Sequence, residues 1–365
     1  SMLYPENVEI KLYLLSILVQ VDSPEKANTI IDEMKLRRDL EPEDLETLQE
    51  IEEELKDREP SLWNITADLS FGALYTDNVN SVSKTRLKSE SDSVVGFNSA
   101  KYDRTLSGGL GLSAVRPIGE ESSILLNVSH SSSEQYQETD DDFQSYGFTF
   151  ALDTVLGNQS ISPFFMLNKS DYQTDADSFS KMYGFGGFFP VGERNSFSYG
   201  YSYANSKGNH NSMDATAMET NSTAHGFTFG HDFILTEIIS TSLGLGFSDT
   251  DARVDAGNDY ETYDFSFGLN FAFPWAYIAV SNSIGFNDYK KEDTTVSSKL
   301  RSDYTNTFDV MLTKAVGDIF PAIDPNRSFF INLSYEKLIS EANLLNYDYI
   351  ADSYSLSFSK SVRLN

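Results

Sequence analysis

The sequence predicts a mainly β protein: a transmembrane, antiparallel, up-and-down β-barrel of about fourteen strands, preceded by a small N-terminal α-helical domain. Three observations carry this reading. Large apolar and small polar residues alternate with period two, about fourteen times after residue 60. In Asp142 to Leu152, for example, Tyr146, Phe148, Phe150 and Leu152 share one strand face, and Ser145, Gly147, Thr149 and Ala151 the other. No helical segment lies between the strands to cover the oily face, so its natural solvent is lipid and its natural closure a barrel. The connections alternate between tight and long, and the long ones are polar and acidic.

Composition agrees and excludes other classes. No apolar run approaches the ~18 residues of a membrane-spanning helix. The mean hydropathy of -0.34 does not weigh against spanning strands, because alternation averages their hydrophobicity away. Aromatic residues make up 13% of the 365 residues, with 26 Phe and 20 Tyr, enough for a lipid-facing wall with interfacial girdles. Cysteine is absent, which removes disulfides and thiolate metal sites. A net charge of -28 leaves no Lys/Arg surplus to neutralise phosphates and excludes a nucleic-acid partner. An exported protein carries a signal peptide, and none is visible behind Ser1-Met2, so the chain reads as a trimmed mature fragment.

Residues 1–60 form the first expected domain. Val8, Ile10, Leu12, Leu14, Leu15, Leu18 and Val19 make the stretch from Glu6 to Gln20 a helix dense enough to pack between neighbours. Ser23-Pro24-Glu25 supplies an N-cap, a proline at the first helical position and an acid in the first turn. The helix it starts buries Ala27, Ile30, Ile31 and Met34. A third helix opens near Glu41-Pro42-Glu43-Asp44 and places Leu45, Leu48, Ile51 and Leu55 on one stripe.

Residues 61–365 form the barrel. Trp63, Ile65, Ala67, Leu69, Phe71, Ala73 and Tyr75 open the first strand; Leu106, Leu110 and Leu112 mark the second, and Ile124, Leu126 and Val128 the third. Phe197, Tyr199, Tyr201 and Tyr203, and later the run from Tyr263 to Phe273, repeat the pattern most sharply. The final strand runs to the chain's last residue, Asn365, where barrels of this kind often end on an aromatic. Tight connections fall at Pro117–Glu121, Leu156–Gln159, Val191–Asn195, Leu235–Glu237 and Pro274–Trp275, with Ala315–Asn326 longer. Long ones fall at Asp77–Asp103, Ser131–Asp142, Ser170–Phe179, Asn205–Ala224, Ser248–Tyr260, Asn287–Asp303 and Lys337–Asp352. Short periplasmic turns and long external loops then place both termini and the helical domain in the periplasm of an outer-membrane protein.

Chemistry-bearing residues are sparse. His225 and His231 share the face of Phe227, Phe229 and Phe233 and read as girdle residues, while Asp140-Asp141-Asp142 reads as a solvated acidic loop without metal-site spacing. No catalytic constellation, metal site or cofactor is expected. Asp68 and Asp264 fall in the lumenal phase, with Arg116 and Arg363 as lumenal charges of opposite sign. Lumenal positions are mostly Ser, Gly, Asn, Thr and Ala, which leaves room for a channel or translocation cavity unless a loop such as Asp77–Asp103 folds inward to close it.

The N-terminal helices resemble the end of a tetratricopeptide array: Ala27 and Pro42 sit near its small-residue and proline positions, although the aromatic and glycine signature of the first helix is missing. Behind them stand Glu53 to Leu55, Trp63, the first strand, and then Tyr75-Thr76-Asp77-Asn78-Val79-Asn80. That order resembles the surface lipoprotein assembly modifiers (Slam proteins), with Asp77, Asn78 and Asn80 as the family-like motif. The resemblance implies a monomeric outer-membrane translocator, placed by the barrel-insertion machinery among lipid and lipopolysaccharide, that exports or displays a secreted protein or lipoprotein client. Tyr13, Leu14, Ile17, Ile30 and Met34 are the candidate client-docking residues. A polysaccharide exporter and a passive porin are the alternatives.

Overall fold

The structure is a computed structural model; it describes residues 8, 11–15, 24–35, 42–57, 63–78, 101–119, 121–137, 142–172, 176–210, 221–252, 259–292, 298–344 and 347–364. The chain divides into two compact units at Trp63/Asn64.

In the first unit, residues 11–15 are helical, followed by α1 (Pro24–Lys35) and α2 (Pro42–Asp57). Leu15, Ala27, Ile31, Met34 and Leu48 form its buried core, with Val8, Leu12, Ile30 and Ile51 packed against it. Ion pairs Lys11–Glu33 (3.2 Å) and Lys35–Glu52 (2.7 Å) link the helices at the surface. What the described residues contain is a small set of helices, without an evident tetratricopeptide domain.

The second unit is a closed barrel of fourteen antiparallel strands, each paired with its sequence neighbours and β1 with β14. The strands are β1 (Asn64–Thr76), β2 (Asp103–Pro117), β3 (Ser122–Gln135), β4 (Phe143–Leu156), β5 (Gln159–Tyr172), β6 (Ala176–Val191), β7 (Asn195–His210), β8 (Ser222–Ile234), β9 (Ile239–Ala252), β10 (Tyr260–Phe273), β11 (Ala276–Tyr289), β12 (Ser302–Ala315), β13 (Phe329–Ala342) and β14 (Tyr349–Arg363). Paired residues share a face, so one side can be followed around the ring. Phe71 pairs with Phe358, Leu356 with Leu333, Leu312 with Ile278, and Phe271 with Ile239, and the parity returns unbroken to β1.

The outward face is apolar and exposed. Phe71 is 57% accessible, Leu110 44%, Phe227 52% and Leu245 56%, whereas the buried apolar residues of the barrel are alanines and Val316. A water-soluble fold inverts that order. Tyrosines crown the band at the long-loop end: Tyr146, Tyr263 and Tyr335 donate their hydroxyls to Gln144 (2.9 Å), Glu261 (3.0 Å) and Asp352 (2.7 Å). Phe271, Phe273 and Trp275 stack at the tight-turn end. From Tyr263 to Phe273 the strand rises ~33 Å at ~3.3 Å per residue, or ~25 Å along the axis at a tilt of ~40°, the height of a membrane-spanning barrel's apolar band.

Turn chemistry fits the tight connections: Gly119, Gly157 and Gly192 each take positive φ, the region glycine enters without strain. The longer connection after β12 carries a 3-10 turn, Val316–Asp318, and Asp324 accepts backbone N–H groups from Ser328 and Phe329, both at 2.9 Å. The expected long connection Ser170–Phe179 is corrected to residues 173–175, because β5 runs to Tyr172 and β6 starts at Ala176. Polar residues mark where the wall leaves lipid, and the hydrogen-bonded ladder continues beyond that level.

An arginine at Phe71 faces hydrocarbon, so Phe71→Arg should lower stability by ~2–4 kcal/mol, while Ser283→Arg on the inner face should change it by less than ~1 kcal/mol. Denaturant midpoints of liposome-reconstituted protein measure both. Equal losses would remove Phe71 from the lipid face.

Candidate functional site

The inner face of the barrel is the candidate site. Register places Ser353, Ser355, Ser357, Ser359 and Ser361 of β14 on it, opposite Ser70 and Gly72 of β1 and Ser334 of β13. The same lining continues through Ser198, Gly200 and Ser202 of β7, Gly226, Thr228 and Gly230 of β8, and Gly244, Gly246 and Ser248 of β9. Serine hydroxyls lie against neighbouring glycines. A Cβ at Gly230 would come within 2.3 Å of Ser198 Oγ, and one at Gly268 within 2.4 Å of Ser242 Oγ, so paired small residues keep the wall thin. Larger inward residues gather on β5–β6, with Phe164, Met166, Met182 and Phe188, and on β11–β13, with Tyr277, Met311, Phe330 and Leu338. Phe164 is laid flat: a Cβ at Gly184 would come within 2.6 Å of its ring, so glycine there lets the aromatic lie along the wall.

Carboxylates occur on both faces of the strands, and the strand lysines are segregated to one. Asp68, Asp103, Asp153, Asp232, Asp264, Asp303, Asp309 and Glu336 stand on the inner set of paired positions, with Arg363 as the cation there among the described strand residues. Lys169, Lys181, Lys207, Lys314, Lys337 and Lys360 stand on the outer set. Arg363 donates to Asn64 Oδ1 (2.9 Å), and Ser361 Oγ to Asp68. Asp309 pairs across the ladder with Glu336 and accepts a long hydrogen bond from Ser281 Oγ (3.4 Å). Arg116 is a correction to the expected lumenal set. It pairs with Ile124 in phase with Leu112 and Leu110, so its Cβ leaves the outer wall at the tight-turn end. There its guanidinium suits the membrane–water boundary.

The motif after β1 is a clasp. Asp77 N–H donates to Asp352 O (3.1 Å), Asp352 N–H to Asp77 Oδ1 (2.8 Å), and Asn78 Nδ2 to Ile350 O (3.0 Å), with Asn78 2% accessible. These bonds extend the β1–β14 seam past the ladder; Asn80 lies outside the described residues. Other carboxylates do comparable work. Asp103 accepts Gln137 N–H at 3.0 Å, and Asp142 accepts Gln135 N–H. Asp142 is therefore a buried strand cap, a correction to the reading as solvated loop; Asp140 and Asp141 lie outside the described residues. At the same end Lys290, flanked by Asp249 and Asp251, binds its proton more tightly than an ordinary lysine: burial opposes this, and the hydrogen-bonded carboxylates outweigh it.

His225 Nδ1 meets Tyr201 OH (3.0 Å), and His231 stacks on Phe197 while its Nε2 meets Asn195 Oδ1 (3.0 Å), both on the outer face. Of the candidate docking residues, Tyr13 is 70% and Leu14 38% accessible, and Ile30 packs against the helical core. Met34 is fully buried in that core and offers no docking surface, a correction; Ile17 lies outside the described residues. Phase alone would have found Asp309 and Glu336, in step with Thr307 and Ser334. The capping role of Asp103 and Asp142 depends on loop geometry.

Fold and lining together define a lipid-spanning β-barrel with a polar, acid-bearing interior. The chain matches no protein-family model and no curated protein. Among solved structures it is similar to a loop L8 deletion mutant of OmpT, an outer membrane protein of Vibrio cholerae (6% identity, 83% of this chain and 100% of that chain, TM-score 0.46). It is also similar to the outer membrane channel DcaP of Acinetobacter baumannii (12% identity, 82% and 97%, TM-score 0.46) and to OccK7 (OpdD) of Pseudomonas aeruginosa (12%, 84% and 100%, TM-score 0.38). With each of these TM-scores below 0.5, the reading of the chain rests on its own geometry.

The absence of native cysteine makes single-cysteine probes clean. Ser283→Cys should react with a water-soluble maleimide in liposomes at least ~10-fold faster than Ile284→Cys, its outward neighbour, since thiolate chemistry needs water. Equal rates would mean that the two faces see the same solvent.

Proposed function

We propose that this chain forms a water-filled channel for small polar solutes in the bacterial outer membrane, with the long connections outside and both termini in the periplasm. The observation that carries it is the inner face: fourteen strands enclose more space than side chains such as Ser, Gly, Thr, Asn and Ala fill. A wall of hydroxyls, amides and bare backbone replaces the hydration of a passing solute without holding it. Single-channel recording tests this directly. A Cβ at Gly186 would meet nothing within 4 Å, so Gly186→Trp adds bulk to open space without disturbing the wall. Its conductance should fall below that of the parent while its heat-modifiability is kept. A parent that never conducts sinks the channel reading.

A protein-translocating role of the Slam type is the second reading, favoured by the helical unit. That unit has a core of its own, and it leaves the apolar side chains of Tyr13, Leu14 and Leu45 individually exposed and open to a client. Tetratricopeptide ancestry for these helices belongs to the same reading. Removal of residues 3–58 should then abolish surface display of the client by more than ~10-fold, as loss of an interface hot spot does, with the heat-modifiable barrel intact. Unchanged display would leave the helices without that role.

A further inference from the structure

We propose that the lumen selects for cations over anions, an inference that rests on the channel reading and adds the class of solute. It is carried by the charge on one face of the wall. Around the described strands the inner set of positions holds eight carboxylates against one guanidinium, and only two of the eight, Asp103 on the Gln137 N–H and Asp303 on Arg301, are tied up at the strand ends, while the strand lysines lie on the other side of the sheet. Folding does not demand that arrangement. Acids set directly opposite each other on a sheet disfavour it, yet Asp309 and Glu336 are such a pair, their carboxyl groups within hydrogen-bond reach of each other. Their next neighbours on the same face, Ser281 and Ser353, bring no positive charge. Asp264 stands between Gly246 and Gly285, with Thr305 beyond, so no longer side chain on the two adjoining strands screens its carboxylate from the lumen. Mobile cations in the water of the pore are the counter-charge these groups lack in the wall. In ~0.1 M salt each wall charge is felt over ~10 Å, and the low-dielectric surround focuses that field along the pore. Rings of acidic side chains give cation preference to pores generally; here the carboxylates are spread over the wall, which favours a graded preference over a binding site.

The test uses the full chain in planar bilayers under a KCl gradient. The expected reversal potential corresponds to K+ passing over Cl- by roughly fivefold at ~0.1 M, shrinking toward unity at ~1 M as the screening length falls to ~3 Å. The triple variant Asp264→Asn, Asp309→Asn, Glu336→Gln should lose at least about half of that preference while still conducting. Glu134→Gln, an outer-face acid, should leave it unchanged. A parent channel that conducts without preference, or that prefers Cl-, overturns the inference and leaves the channel reading standing. A triple variant that conducts with undiminished selectivity overturns it as well, and a chain with no conductance removes both.

Discussion

The hydrogen-bond ladder must close on itself. In hydrocarbon an unpaired N–H or C=O has no water to turn to, and each costs several kcal/mol. A fourteen-stranded sheet therefore stands in a membrane only because β1 finds β14, the two ends of a chain segment some three hundred residues long. Eleven Cα partners from Thr66↔Arg363 to Thr76↔Ser353 make that seam, and beyond them Asp77 and Asn78 exchange three further bonds with Ile350 and Asp352. Closing the longest loop in the molecule carries the largest entropic cost of any strand pairing. A side-chain clasp placed there acts where the ladder has the most to lose from fraying.

Closure in turn fixes what each residue faces. Once paired positions share a side around an unbroken ring, one residue's phase assigns all the others. Phe71 and Phe358 look into lipid, so Gly72 and Ser357 look into the lumen; the same count carries Tyr263, Phe286 and Tyr304 outward and Asp264, Gly285 and Thr305 inward. The aromatics need an apolar solvent and receive it outside. Small residues leave volume inside. Each is the complement of the other, and neither survives a register slip by one residue, which would exchange the faces along a whole strand.

Much of this was legible in the chain, because the signal is two-fold periodicity and periodicity is local. The strand number, the alternation of tight and long connections, and the lumenal phase of Ser353 to Ser361 all follow from counting along the sequence. What was not legible depends on distance in three dimensions. The tight turns were recognisable from the short breaks at Pro117–Glu121, Leu156–Gln159 and Val191–Asn195, but the upper ends of the strands were not. Ser170-Asp171-Tyr172 is polar because it stands above the lipid while still hydrogen-bonded in the ladder. Arg116 looked lumenal by its charge, although its phase with Leu112 put it outside. Met34 carries the helical period of a docking face and of a core alike, and only its packing against Leu15 and Leu48 tells them apart.

The acidity of the chain divides by the same logic. A short carboxylate at the base of a loop is a compact acceptor for the N–H groups that a ladder leaves unpaired as it ends. Asp77, Asp103, Asp142 and Asp324 are used in this way. Asp249, Asp251 and Asp259 serve differently, gathered about Lys290 and Lys291 at the long-loop rim. Those groups have partners in the protein, and exchanging them would cost structure. Asp309 and Glu336 oppose each other on the wall with serines on either flank, where an apolar or hydroxyl residue would hold the ladder as well. On the channel reading proposed above, these are the carboxylates that face the water of the pore instead of closing a ladder end.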